Sequence, residues 1–127
     1  MTAPLLPPQS IESEQAVLGA LLIQNSLGDD LAGVLIADDF YRADHRLIYT
    51  LITQLITAQQ PADFITLCDS ARRLGKLEDC GGQSYIGSLV GDLGSTVNFL
   101  RYAEIVREKS ILRHWLTSLC KSTPHSG

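Results

Sequence analysis

Two glycine-containing stretches are the parts of this sequence that come nearest to a phosphate-binding loop and a nucleophilic site. A phosphate-binding loop requires a glycine five residues before its Gly-Lys pair and a hydroxyl residue directly after the lysine. Around Gly75-Lys76 those two positions hold Ser70 and Leu77. Gly82-Gln83-Ser84-Tyr85-Ile86 lacks the final glycine of a nucleophile elbow, and no predicted strand precedes it. The sequence therefore predicts neither site, and Gly75 is instead predicted to end a helix.

Histidines, cysteines and adjacent aspartates are the remaining side chains that could bind a metal or transfer protons. None has the spacing of a zinc motif, and the aspartate pairs are predicted to cap helices. The cysteines are predicted to be buried or free thiols in a reducing cytoplasm, and His45 a hydrogen-bonded structural residue. We therefore expect no catalytic residue, cofactor or metal in this segment, which by itself is not expected to be an enzyme. The residues concerned are His45, His114, His125, Cys68, Cys80, Cys120, Asp29-Asp30 and Asp38-Asp39.

Apolar residues recur every three or four positions along most of the chain, which indicates helices and not strands. Ser10, Asp44 and Asp63 are predicted N-caps, and Glu12 and Glu14 lie in a first turn, where the helix dipole favours anions. The fold class is thus all-α, a compact orthogonal bundle of about six helices with a long C-terminal helix. The helices are predicted to begin near Ser10, Leu27, Asp44, Asp63, Tyr85 and Asn98.

The inward faces of these helices supply a predicted core. Gly19 lies in mid-helix, which is tolerated where a neighbouring helix packs closely, so it marks a tight crossing. Phe40 and Tyr41 are predicted to fill the core from a connector. The residues predicted to be well buried are Leu18, Leu22, Leu47, Leu51, Ile86 and Ile105.

Length and charge limit the function classes. The chain has 127 residues, 45% of them apolar, which suits one domain over residues 10–120, between a Pro-containing arm (1–9) and a polar tail (121–127). Residues 1–100 carry five Lys or Arg against twelve acids (net −7), and residues 101–127 carry five against two (net +3). The net negative charge of residues 1–100 argues against strong direct nucleic-acid binding, which needs clustered cations. No apolar run is longer than Ala20 to Ile23, so the sequence predicts no membrane span.

Six short blocks, in a fixed order, resemble the N-terminal domain of the DnaB-type replicative DNA helicases of bacteria and phages. The resemblance covers about Pro7 to Trp115. Its blocks are Pro8-Gln9-Ser10-Ile11-Glu12-Ser13-Glu14-Gln15-Ala16-Val17-Leu18-Gly19, Asp38-Asp39-Phe40-Tyr41, Asp44-His45-Arg46-Leu47-Ile48-Tyr49, Asp63-Phe64-Ile65-Thr66-Leu67, Gly81-Gly82-Gln83-Ser84-Tyr85-Ile86 and Tyr102-Ala103-Glu104-Ile105-Val106-Arg107-Glu108-Lys109.

The resemblance implies a cytoplasmic domain in the N-terminal collar of a hexameric helicase. Such a domain mediates subunit association and contacts primase and, in some systems, a helicase loader. The parent protein would be an ATP-dependent DNA helicase whose ATP, Mg²⁺ and catalysis belong to a separate C-terminal RecA-like domain, absent from this sequence.

An apolar face near the end of the last helix is the candidate functional site. Its positions i, i+1, i+4, i+5 and i+8 share one side of about two and a half turns. We expect it to be exposed in the monomer and to pair two copies of the chain as a two-fold dimer. Two alternatives are a stand-alone regulator that binds a full-length helicase and a small helical DNA-binding domain. The face comprises Ile111, Leu112, Trp115, Leu116 and Leu119.

Overall fold

The computed structural model describes residues 9–121, and describes side chains as far as residue 116. Within this range the chain forms six α-helices, two 3₁₀ turns and no strand, which confirms the predicted all-α bundle with a long last helix. Residues 1–8 of the predicted arm and residues 122–127 of the predicted tail lie outside the described residues. The helices are α1 (Ile11–Ile23), α2 (Leu27–Leu31), α3 (Ala43–Thr57), α4 (Phe64–Arg73), α5 (Gly82–Gly91) and α6 (Phe99–Lys121), and the 3₁₀ turns are Ala37–Asp39 and Glu78–Cys80.

Helix α1 lies at the centre of the bundle and packs against α3, α5 and α6. Every residue of α1 from Val17 to Leu22 is buried, so this stretch meets neighbours on all sides of the helix. A Cβ atom on Gly19 would overlap the main-chain carbonyl of Leu89, so glycine lets α1 and α5 approach closely. The predicted tight crossing at Gly19 is confirmed.

The helix ends follow the capping residues of the sequence. The Ser10 side chain accepts from the main-chain N–H of Ser13 at 3.4 Å. Asp63 and Thr66 cap each other: the Thr66 N–H donates to the Asp63 carboxylate (2.9 Å) and the Asp63 N–H donates to the Thr66 hydroxyl (2.8 Å). Gly75 follows α4 with φ +70°, as expected for a glycine that ends a helix.

The predicted cap at Asp44 is wrong. Arg42 is the N-cap of α3, and Asp44 lies in the first turn, where it binds the Arg42 guanidinium (Nε to Oδ1, 3.0 Å). The carboxylate is therefore occupied by a nearby cation and is not aimed at the free N–H groups of the helix.

Most of the predicted core is buried, with three exceptions. Leu18, Leu22, Leu51 and Ile86 are buried, and so is Phe40. Leu47 and Ile105 are only half-buried, because the inward faces of α3 and α6 are centred on their neighbours Ile48 and Val106. Tyr41 is also half-buried, and it lies beneath the guanidinium of Arg113.

Candidate functional site

A buried polar cluster joins α1, α3 and α5, and it contains the side chains that most resemble acid–base machinery. His45 Nδ1 lies 2.7 Å from Glu14 Oε1, and His45 Nε2 lies 2.5 Å from the Tyr85 hydroxyl. Glu14 also accepts the main-chain N–H of Tyr41 at 2.6 Å. Burial raises the pKa of Tyr85, which favours its protonated hydroxyl.

This cluster is structural. Glu14 and His45 are almost completely shielded from solvent, and both His45 ring nitrogens are occupied by protein partners. The prediction of a hydrogen-bonded structural histidine is confirmed. The expectation that Glu14 mainly serves the helix dipole missed its role as the buried acceptor at the centre of the cluster.

The other residues with potential chemistry are scattered. In the part of the chain that the structure describes, no three His, Cys, Asp or Glu residues are grouped as a metal site would require. Cys68 and Cys80 are buried free thiols, as predicted, whereas the side chain of Cys120 lies outside the described residues. No described helix is long and apolar enough to cross a membrane.

A cleft of about 440 Å³ opens between α1, α5 and the segment before α6. Glu12 and Asp92 give the cleft an acidic character, while its apolar wall consists of Leu89, Leu93 and Tyr102. His45, which is the one buried histidine among the described residues, does not line it. The cleft therefore does not bring an acid and a base together around a substrate.

Helix α6 has two faces of different character. Its inner face packs on the body through Phe99, Ala103 and Val106, all buried, and ends at the buried Ser110. At 100° per residue the candidate residues lie on the opposite side of the helix. The body that covers the inner face therefore cannot cover them as well.

The candidate residues are exposed as far as the structure describes them. Ile111 is 42% exposed, Leu112 48%, Trp115 64% and Leu116 50%. The side chain of Leu119 lies outside the described residues. Four large apolar side chains on one exposed surface are typical of an interface. We call Ile111, Leu112, Trp115 and Leu116 the α6 apolar face.

A buried carboxylate binds α6 just before this face and holds the helix to the first 3₁₀ turn. Asp39, in the first 3₁₀ turn, accepts from the Ser110 hydroxyl at 2.7 Å and from Arg107 Nη1 at 3.1 Å. Its main-chain carbonyl accepts from Arg113 Nη2 at 2.6 Å. The sequence predicts only a helix cap at Asp39. Asp39 does cap its turn, since Oδ2 accepts the Ile36 N–H at 2.8 Å, but its contacts with α6 join residues about seventy positions apart, and no local signal marks them.

Comparison with known proteins assigns the chain to a protein family. The family model described as DnaB-like helicase N terminal domain matches residues 6–108. The chain belongs to this family. It is 44% identical to the replicative DNA helicase DnaB of Haemophilus influenzae over 112 residues (88% of this chain, 24% of that protein). It is also 44% identical to the replicative DNA helicase DnaC of Bacillus subtilis over 108 residues (85% and 24%).

Solved structures of DnaB-like proteins share the fold. The N-terminal domain of DnaB helicase from Mycobacterium tuberculosis matches with a TM-score of 0.87 at 34% identity, covering 91% of this chain and 83% of that one. A DnaB-like replicative helicase, whose structure was solved together with its interactions with primase, matches with a TM-score of 0.76 at 28% identity (88% and 26%). The resemblance stated from the six sequence blocks is confirmed.

The matches also limit which properties of the DnaB-like relatives can be assigned to this chain. The chain spans about a quarter of the length of the curated relatives. The α6 apolar face begins at Ile111, after the last residue that the family model matches. The matches do not favour a stand-alone regulator or a small DNA-binding domain, the two alternatives that the sequence left open.

Proposed function

We propose that this chain is the N-terminal collar domain of a replicative DNA helicase and that it associates with other copies through the α6 apolar face. The observation that carries the proposal is the exposure of four large apolar side chains on the side of α6 turned away from the body. Removing apolar surface of this kind from water is energetically favourable, so the exposed side chains favour association with a partner.

A second copy of the chain suits this face. Ile111 and Trp115 form one row along the helix, and Leu112 and Leu116 form a second row, each with a spacing of four residues. Rows of this spacing on two helices interdigitate in the commonest class of helix packing. A two-fold pair would let each face bury the other, so this chain would form a dimer, and the parent protein would build its hexamer on such contacts.

Membership of the helicase family supports the remaining parts of the proposal. The neighbour solved with its primase interactions leads us to propose that this domain contacts primase, and a helicase loader is a further candidate partner. We also propose that ATP, Mg²⁺ and catalysis belong to another part of the parent helicase, and that the protein is cytoplasmic. Binding of purified primase to the chain, measured by calorimetry, would test this part; failure to bind at high micromolar concentration would reject it.

Trp115 is the single tryptophan of the chain, so it reports on the face directly. As the concentration rises, association should shift Trp115 emission to shorter wavelength, and sedimentation should show a dimer. Leu116→Glu should abolish both changes, because it would bury a charge in the interface.

Leu100→Glu is the matched control, since Leu100 lies on the same helix with nearly the same exposure as Leu116 (51% against 50%). It should leave association intact. A native chain that stays monomeric at high micromolar concentration, with unchanged Trp115 emission, would overturn the proposed self-association. Equal effects of the two substitutions would show that the contact is not specific to the α6 apolar face.

A further inference from the structure

Asp39 is the one acid of the first 3₁₀ turn that turns inward. Its side chain is about 1% exposed, and it binds donors from two directions. Oδ2 accepts the N–H of Ile36 within its own turn, while Oδ1 accepts from Ser110 and Arg107 of α6. The carboxylate therefore ties the connector between α2 and α3 to the last helix.

The same turn makes a third contact with α6, through its main chain. Arg113 donates to the main-chain carbonyl of Asp39 at 2.6 Å, and its guanidinium lies 5.4 Å from the centre of the Tyr41 ring. Arg107, Ser110 and Arg113 follow one another at intervals of three residues, so they form a stripe of nearly two turns along the helix. We call these three residues and Asp39 the polar clasp.

The polar clasp lies at the point where α6 leaves the body. Among the side chains of α6 that the structure describes, Val106 is the last buried apolar residue and Ser110 is the last buried residue of any kind. Beyond it, Ile111, Leu112, Trp115 and Leu116 are all exposed. A helix segment without tertiary contacts is marginal in water, so the order of the exposed segment depends on how firmly its base is held.

We propose that Asp39 is a positioning residue, which holds the exposed end of α6 as an ordered helix in a fixed direction and so prepares the α6 apolar face for its partner. The proposal rests on the proposed self-association for its consequence, but the ordering of α6 is a property of the single chain. Binding is tighter when the surface is already ordered, because less conformational entropy is lost on association.

The charge of Asp39 is the feature that a substitution can isolate. Asparagine keeps the shape of the side chain but removes the negative charge opposite Arg107, and its NH₂ group cannot accept a hydrogen bond. At least one of the three donors now held by the carboxylate then loses its acceptor, and Arg107 loses the opposing charge whichever way the amide turns. Asp38 precedes Asp39 in the same 3₁₀ turn and is exposed, so Asp38→Asn makes the same change in net charge without touching α6.

Hydrogen exchange of the amides of residues 107–116, measured on the full chain at a concentration below association, tests the ordering. Asp39→Asn should accelerate exchange there by about tenfold or more, the effect of losing a hydrogen bond to a charged group. Exchange in α1 and α3 should stay as it is in the native chain, and Asp38→Asn should change neither region. The same substitution at Asp39 should weaken dimerisation by about tenfold.

Equal exchange in the two variants would overturn the proposal, as would an acceleration spread evenly over all helices, since Asp39 would then act on stability in general. Should Asp39→Asn fail to fold, Ser110→Ala removes one donor and leaves the Arg107 pair in place; it must still accelerate exchange selectively in residues 107–116. A native chain that never dimerises would reject the proposed self-association, while the exchange result would still decide the role of Asp39.

Discussion

Helix α1 and the end of α6 are both rich in large apolar residues, yet the bundle buries those of α1 and leaves those of α6 exposed. In α1, Val17, Leu18 and Leu21 are buried because α3, α5 and α6 surround the helix. In α6, Ile111 and Trp115 are exposed because the body covers only the opposite side. Apolar composition thus indicates that a helix needs partners, and the position of the helix in the bundle decides whether the same chain provides them.

The two regions also differ in how polar groups secure them. Glu14 is buried in the first turn of α1 and binds His45 and the main chain at Tyr41, so its helix is anchored from inside the bundle. Asp39 binds α6 from outside the helix, near the middle of α6 and at the base of its exposed segment. An interior anchor fixes a helix for the stability of the fold, whereas an anchor at the base leaves the far end available for contact.

The largest expected effect comes from closing the space between α1 and α5. Gly19→Ala would place a Cβ atom against the main chain of Leu89, which cannot move without displacing α5. We expect a loss of at least about 5 kcal/mol in the free energy of unfolding, enough to prevent stable folding. Urea denaturation followed by circular dichroism would measure it.

Gly91→Ala is the control for this experiment. Gly91 is the last residue of α5, and a Cβ atom there would meet nothing within 4 Å. Alanine should leave stability unchanged or raise it by up to about 1 kcal/mol, because alanine favours helix. Similar stabilities for the two variants would show that the crossing at Gly19 is looser than described.

A leucine removed from the core should cost much more than a leucine removed from the α6 apolar face. Leu51 is 3% exposed, and Leu51→Ala should lower the free energy of unfolding by about 2–5 kcal/mol. Leu112→Ala should change it by less than about 0.5 kcal/mol at concentrations below association. Thermal denaturation of dilute samples would compare them; a near-zero shift for Leu51→Ala would mean that α3 is not central.

The mildest test leaves the sequence intact. Burial raises the pKa of the Cys80 thiol from 9.0 to about 11, so the thiolate is about one hundredfold scarcer at pH 8 than in an exposed cysteine. Alkylation of Cys80 by iodoacetamide should therefore be at least that much slower in the folded chain than in urea. Mass spectrometry of the peptide that contains Cys80 would measure the rate. Equal rates would show that this part of the core opens readily.

Local sequence signals were enough to predict most of the helices and two of their caps. Ser10 and Asp63 act on N–H groups three residues away, so their role can be inferred from neighbours alone. Asp44 has the same chemical character, but Arg42 lies two residues before it and binds it instead. Capping residues are thus predictable until another side chain competes for them.

The contacts that position the candidate site could not be predicted in this way. Asp39 meets Arg107 and Ser110 because the bundle folds α6 back over the first 3₁₀ turn, and Glu14 meets His45 across two helices. Neither pair has a characteristic spacing in the sequence. The residues of the α6 apolar face were found because a helical repeat reveals them, and their exposure in the single chain matches the prediction; the dimer stays a prediction.

The packing of α1 against α6 has a consequence for synthesis of the protein. Helix α1 leaves the ribosome well before α6, which covers part of α1 and begins only at Phe99. Until then the nascent chain cannot complete the shell around its most apolar helix, and an unshielded helix of this kind attracts chaperones and favours aggregation. We therefore expect nascent chains that end before Phe99 to be degraded readily by protease, and resistance to appear once α6 has emerged.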